Sequence, residues 1–245
     1  MRKFLDWGNG KGTFKPTRKQ GTARRARLHD YARTLGMGSL RSAVSVPESE
    51  NEQEWLAVNA VDLFNELSLL YGVVSDTAAG KYTKAGEGFP PGFEYRWMDG
   101  VRVKSPLRCS SPEYVAYVMN WVEAQLADES IFPTMEGAPF PPSFHEVIGN
   151  IFKRLFRVYA ITYHSHFTTI EAVGAVEHLN TSFKHFMFFA FEFKLVPDKE
   201  LKALSEPVQH MLEQYAAQNP AGHAAGGGGA GAGGAGIFAP IAEER

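Results

Sequence analysis

Lys153, Arg154 and Arg157 form the densest knot of chemistry-bearing side chains in this sequence. They sit in KRLFRVYA, where spacings of three and four residues put Arg157 beside both other cations on one side of a helix. Phe152, Leu155, Phe156 and Tyr159 can then point inward. Two readings are open. Clustered Lys and Arg make a phosphate-sized positive pocket, with Arg offering a planar fork and Lys a point charge. Hydrogen bonds to charged groups contribute roughly 1.5–3 kcal/mol each, so two or three support micromolar binding of a phosphopeptide. The other reading is a solvated basic helix face.

A second constellation is acidic. Glu48, Glu50, Glu52 and Glu54 lead into a helical stretch that carries Trp55 and Asp62. Asp62 lies eight residues beyond Glu54 and seven beyond Trp55, which places all three near one stripe. An acidic stripe with an aromatic anchor suits a basic partner helix: charge steers the encounter and Trp55 supplies desolvated contact. The alternative is an ordinary helix start whose acids complement the dipole, with Trp55 in the core.

Catalytic signatures are missing from this inventory. There is no G-x-S-x-G, H-E-x-x-H or P-loop pattern. The sole cysteine, Cys109, permits no intrachain disulfide and no Cys-rich metal site. The chain is therefore expected not to be an enzyme and to need no cofactor. A nucleic-acid-binding protein is a rival reading, carried by a basic N-terminus and abundant aromatics. The net charge of -2 and the absence of a recognised binding motif count against it; salt-sensitive retention on DNA would discriminate.

The elements that must position these residues are mostly helices. Hydrophobic residues make up 44% of the 245, enough to build a core without staples. Residues 1–30 are basic, with Arg2, Lys3, Lys11, Lys15, Arg18, Lys19, Arg24, Arg25 and Arg27 against Asp6 and Asp30, and read as a flexible arm. Residues 31–217 read as the folded domain. Residues 218–245 are Gly/Ala-rich, with little to bury, and read as a disordered tail.

Within the domain, Trp55, Val58, Leu63, Leu67 and Leu70 recur at helical spacing in a first helix. FEYRW and VRVKS flank Met98-Asp99-Gly100 and predict a small β-hairpin. Ser110-Ser111-Pro112 opens a second helix with a Ser cap and a first-turn Pro. FPTMEGAPFPP must break it. Ser143 with Glu146 predicts a capping box at a third helix, and Thr168 with Glu171 a box opening a fourth. HLNTSFKHFMFFAFEF adds a strongly apolar central helix, and residues 198–215 close the domain. Short connections imply a bundle. The start of the chain lacks a signal-peptide apolar stretch, and no run of about 18 apolar residues spans a membrane; the default expectation is a soluble intracellular protein.

Several stretches, in collinear order over about residues 13–205, closely resemble the Mob (Mob/phocein) kinase-activator family. They are TFKP at 13–16, TLGMGSLRSAV at 34–44, EWLAVNAVDLFN at 54–65, LYG at 70–72 and CSSPEYVAYVMNWV at 109–122. IFP and PFP between 131 and 141, KRLFRVYA at 153–160 and HLNTSFKHFMFF at 178–189 complete the set. The resemblance is nearest to the branch that activates NDR/LATS-type kinases in Hippo-like and mitotic-exit pathways; Mob proteins of phosphatase-scaffold complexes are the alternative within the family. It implies a mainly α fold: a Mob-type four-helix-bundle core with extra helices and a small β-hairpin.

The resemblance also implies a non-catalytic adaptor. Lys153, Arg154 and Arg157 match residues that bind a phosphothreonine motif of an upstream Ste20-type kinase or scaffold. Glu54, Trp55 and Asp62 match contacts to the basic N-terminal segment of an NDR/LATS-type AGC kinase, with Leu35, Gly38, Leu40, Ala43 and His185 on the same surface. Thr13 and Thr34 match phosphorylated positions whose modification lifts an arm from the docking face. A cytoplasmic location follows, with the nucleus and the spindle pole or basal body as further sites, and with no nucleic acid or membrane as partner.

One departure stands out. Typical members hold a structural zinc with two cysteines after LYG and two histidines spaced H-x4-H. Here VVSDTAAGKYTKAGEGFPPG carries no cysteine, Ile161 stands at the first histidine position, and only His166 of the ligand set remains, with His164 nearby. One matched ligand cannot hold a tetrahedral zinc, so no metal is expected; the loop must be held by packing alone or be mobile, and its Gly and Lys content favours mobility.

Overall fold

The computed structural model describes residues 39–135 and 137–218. Residues 1–30, read as the arm, residues 219–245 of the stretch read as the tail, and Thr34, Leu35 and Gly38 lie outside the described residues, as does Thr13 within the arm. Helices run in the order α1 (Leu40–Val44), α2 (Glu52–Gly72), α3 (Ser75–Lys81), α4 (Ser111–Ala127), α5 (Phe144–Ala172), α6 (Val176–Glu192), α7 (Asp198–Leu201), a 3-10 turn (Lys202–Leu204) and α8 (Ser205–Ala217). The long helices α2, α4, α5 and α6 form the bundle, with α2 packed on the other three.

The helical spacing read from the sequence is the packing face of α2: Trp55, Val58, Leu63, Leu67 and Leu70 are all buried. Phe152, Leu155, Phe156 and Tyr159 of α5 are fully enclosed. They meet α6 ring to ring, with Phe152 stacked on Phe186 at 5.2 Å and on Phe189 at 5.5 Å. Each such burial contributes about 1.5–3 kcal/mol relative to exposure, which fixes the register of α5 against α6. At α4 the Ser110 N–H donates to Glu113 Oε2 at 2.8 Å, and Pro112 occupies the first turn, as the sequence required.

Four local expectations are corrected. The β-hairpin is reduced to one antiparallel bridge, Trp97 with Leu107, bonded at 2.9 and 2.8 Å. Asp99 Oδ1 instead accepts the N–H groups of Val101, Arg102 and Val103, closing a wide turn. An isolated two-stranded ribbon is marginal, and this one finds no third strand among the described residues.

Ser143 adopts helical backbone angles and makes no side-chain cap bond, so its box with Glu146 does not form. The Phe144 N–H donates to the Pro141 carbonyl at 2.9 Å instead, starting α5 from a proline turn. Thr168 and Glu171 do not open a helix: α5 runs through both to Ala172. It stops where Gly174 takes φ +71, with the Ala175 N–H returning to the Ile170 carbonyl at 3.0 Å, a glycine-terminated C-cap.

The loop after LYG is not an unanchored segment. It folds into α3, buries Val74 and Ala78, and is stitched down by Tyr82 Oη to the Ser165 carbonyl and Ser165 Oγ to the Gly88 carbonyl. A Cβ at Gly88, which has φ +78, would lie 2.1 Å from Ser111 Oγ, so only glycine allows that approach. Among the described residues no single helix is long and apolar enough to cross a membrane.

Candidate functional site

The α5 cations do share a face. The charges of Arg154 and Arg157, after burial itself, hold the Lys153 ammonium below its ordinary value. Lys153 Nζ donates to Asn150 Oδ1 at 2.8 Å. Arg154 sits over two rings, its Cζ 4.0 Å from the centroid of Trp121 and 5.1 Å from that of Trp97, and donates to the Met98 carbonyl at 2.9 Å. This stacking fixes the guanidinium plane before any ligand arrives.

Arg157 is anchored more deeply. Its Nε and Nη2 donate to the two oxygens of Glu200 at 2.8 and 2.7 Å, and Nη1 donates to Tyr114 Oη at 3.0 Å. The guanidinium also lies 4.9 Å over the Tyr95 ring. Burial opposes its charge, yet the Glu200 and Tyr114 contacts outweigh that and raise its pKa further. The fork that the sequence offered to phosphate is thus largely filled from within. Glu200 lies 43 residues away on α7, and no local spacing announces it; Tyr114, on α4, is equally silent in the sequence.

The acidic constellation folds differently from its reading as an exposed anchor. Trp55 is 1% exposed, and its Nε1 donates to the Val44 carbonyl at 2.8 Å, tying α1 to α2. It is a core residue and offers no contact area to a partner, because its indole is the largest apolar group on the inward side of α2. Glu54 is also buried, at 8% exposure, beside a cleft lined by Asn51, Gln53 and the 137–140 segment. Asp62, Leu40 and Ala43 are half-buried.

His185 on α6 is buried, which pushes its imidazole down to about 4 against the opposing charge of Asp62. Burial likewise raises the Glu66 carboxyl, while a hydrogen bond from Ser182 lowers it and Asp62 raises it. Ser182 Oγ in turn meets Tyr159 Oη at 2.6 Å. Asp62 lies against His185 and Glu66, one turn on, against Ser182, one turn back, so α2 and α6 run antiparallel. Asp62 and His185 meet at that seam, and α1, which carries Leu40 and Ala43, packs on α6 at the end where Ser45 Oγ donates to Glu192 at 3.1 Å; Glu54 lies at the cleft with residues 137–140.

Nothing at the zinc position of the family fits a zinc ion. Among the described residues no group of three or more His, Cys, Asp or Glu could hold a metal. His166 is 1% exposed with Nε2 lacking a hydrogen-bond partner, edge-on to Tyr71 at 6.0 Å and Tyr82 at 5.7 Å. Ile161 is fully buried, and His164 turns to the Ala203 carbonyl at 2.9 Å. Aromatic and aliphatic packing stands where thiolates would be needed.

The chain belongs to the Mob1/phocein family, whose profile matches residues 32–204. It is 46% identical over 209 residues to MOB kinase activator-like 1 homolog A of Dictyostelium discoideum, covering 84% of this chain and 98% of that protein. It is 46% identical over 211 residues to MOB kinase activator-like 1B of Arabidopsis thaliana, covering 85% and 97%. With MOB kinase activator-like 1 homolog B of Dictyostelium discoideum it shares 48% identity over 202 residues, covering 81% and 93%.

Proposed function

We propose that this chain is a non-catalytic adaptor that activates a protein kinase of the NDR/LATS type and reads a phosphothreonine motif on an upstream Ste20-type kinase or scaffold. The observation that carries this reading is the convergence of Lys153, Arg154 and Arg157 on one face of α5, with Arg154 oriented by Trp121 and Trp97. A pre-oriented guanidinium beside an ammonium is a phosphate receptor with little ordering cost. The names of the relatives support the kinase-activating part.

The kinase segment is basic and helical in this reading. It lies along the α1–α2–α6 seam, meeting Leu40, Ala43 and Asp62 at the surface, while Glu54 and His185 act through the field and shape of the seam. Leu35 and Gly38 extend the same surface. Phosphorylation of Thr13 and Thr34 releases the basic arm from this acidic seam, since added phosphate cancels the arm's charge. The work is done in the cytoplasm, with the nucleus and the spindle pole or basal body as further stations.

The test is direct. The chain is added to an NDR-type kinase that retains its N-terminal segment, and phosphate transfer is measured. Activation by the wild type, weakened by Glu54→Lys and by phospho-blocking Thr13→Ala with Thr34→Ala, is expected. A kinase rate indifferent to the wild-type chain sinks the proposal.

A further inference from the structure

We infer that Glu200 sets the anion selectivity of the α5 cationic site: by filling the Arg157 fork, it makes the site accept phosphate and reject a carboxylate. This inference rests on the phosphopeptide reading above.

The geometry is specific. Both oxygens of Glu200 engage Arg157 in parallel, at 2.8 Å from Nε and 2.7 Å from Nη2. That paired contact is the one an Asp or Glu side chain of a ligand would make with an open guanidinium. Glu200 is only 7% exposed, so it holds its position from beneath the site and is not readily exchanged. Tyr114 takes a further N–H through Nη1 at 3.0 Å, and Tyr95 closes the ring face. An incoming carboxylate therefore finds its best partner already satisfied.

The donors left over are of another kind. Lys153 Nζ has one bond, to Asn150, and the Arg154 guanidinium has one, to the Met98 carbonyl. Arg157 keeps its remaining N–H groups. Lys199, exposed and next to Glu200 on α7, is close enough for its charge to act on Lys153. These donors belong to separate side chains held by separate anchors, Asn150 for Lys153 and the Met98 carbonyl for Arg154. They suit an anion with three acceptor oxygens and close to two negative charges, and they serve a planar monoanion poorly. Glu200 thus works through Arg157 as a positioning residue.

The experiment uses the full chain and two short fluorescein-labelled peptides that differ only in having phosphothreonine or glutamate at one position. Fluorescence polarisation gives the ratio of their affinities. The wild type is expected to favour the phosphopeptide by about 100-fold, the equivalent of two charge-assisted contacts. Glu200→Ala, which opens the fork, is expected to shrink that ratio about tenfold, because the glutamate peptide gains one paired contact; Glu200→Gln, whose amide accepts from only one of the two N–H groups, is expected to shrink it by less. A buried pair that is merely structural would lower the melting temperature and leave the ratio unchanged.

An unchanged ratio in folded variants overturns the role of Glu200 while leaving the phosphopeptide reading intact. A wild-type ratio near one overturns it without any variant. A wild type that binds neither peptide removes the phosphopeptide reading itself and the inference with it.

Discussion

The cationic face of α5 and the acidic seam between α2 and α6 look alike as sequence, each a cluster of charges around helical spacing, but they fold into opposite kinds of surface. On α5 the apolar neighbours turn inward and the cations are buttressed at the rim, by Trp97 and Trp121 around Arg154 and by Glu200 and Tyr114 around Arg157. At the seam the aromatic residue itself turns inward, and Trp55, Glu54 and His185 are nearly sealed. A long cationic side chain can bury its stem and keep its head at the surface. An indole has no such division unless its N–H needs water, and here the Val44 carbonyl satisfies it. The first region keeps its charged heads at the rim; the second uses its largest side chain to tie α1 to α2.

That contrast can be broken most forcefully at Trp55. Trp55→Ala is expected to cost about 3–5 kcal/mol of stability, through the cavity and the lost bond to α1, read by chemical denaturation. Trp55→Phe, which keeps most of the volume, should cost far less. If Trp55→Ala left stability intact and weakened only kinase binding, Trp55 would be a contact residue and not a core residue.

Arg157→Ala follows in size. It strands the buried Glu200 carboxylate, so a loss of about 3 kcal/mol is expected alongside loss of phosphopeptide binding. The double variant Arg157→Ala with Glu200→Gln should recover part of the stability and none of the binding. A single variant as stable as the wild type would show that the pair is solvated.

The acidic seam has a pH signature. His185 is pushed down to about 4 when folded, against about 6.5 in an unfolded chain. The unfolded chain therefore binds the proton first as pH falls. The stability this histidine contributes is present above about 6.5 and declines toward 4. A loss of about 2 kcal/mol between pH 7 and pH 5 is expected from this group, and His185→Gln should remove that part of the slope. An unaltered slope in the variant would mean that His185 protonates freely in the fold.

Arg154→Ala gives the smallest stability effect, about 1 kcal/mol for the ring stacking and one hydrogen bond at the rim. Phosphopeptide affinity should nevertheless fall at least about tenfold. A variant with normal affinity would take Arg154 out of the site and leave Lys153 and the remaining Arg157 donors to hold the ligand.

Much of the fold was legible because helices are written locally. The spacing of Trp55, Val58, Leu63, Leu67 and Leu70 marked the inner face of α2, and Ser110 with Pro112 marked the start of α4, since both signals lie within one or two turns. Signals of the same local kind misled at Ser143 and at Thr168. A cap motif only offers a bond. Pro141 supplied another start for α5, and packing carried α5 past Thr168 to the glycine that could end it. The hairpin failed for a related reason, since an Asp-Gly turn proposes a ribbon but pairing needs a sheet to extend.

By itself, then, the sequence determined which faces of the long helices are apolar and that Lys153, Arg154 and Arg157 share a side, because each follows from the period of the helix and the chemistry of the side chains. Only the tertiary structure decided that Trp55 is core, that Glu200 reaches Arg157 from 43 residues away, and that His166 packs edge-on against Tyr71 and Tyr82. Those outcomes depend on which helix lies against which. Burial and long-range pairing are properties of that arrangement, and no window along the chain contains them.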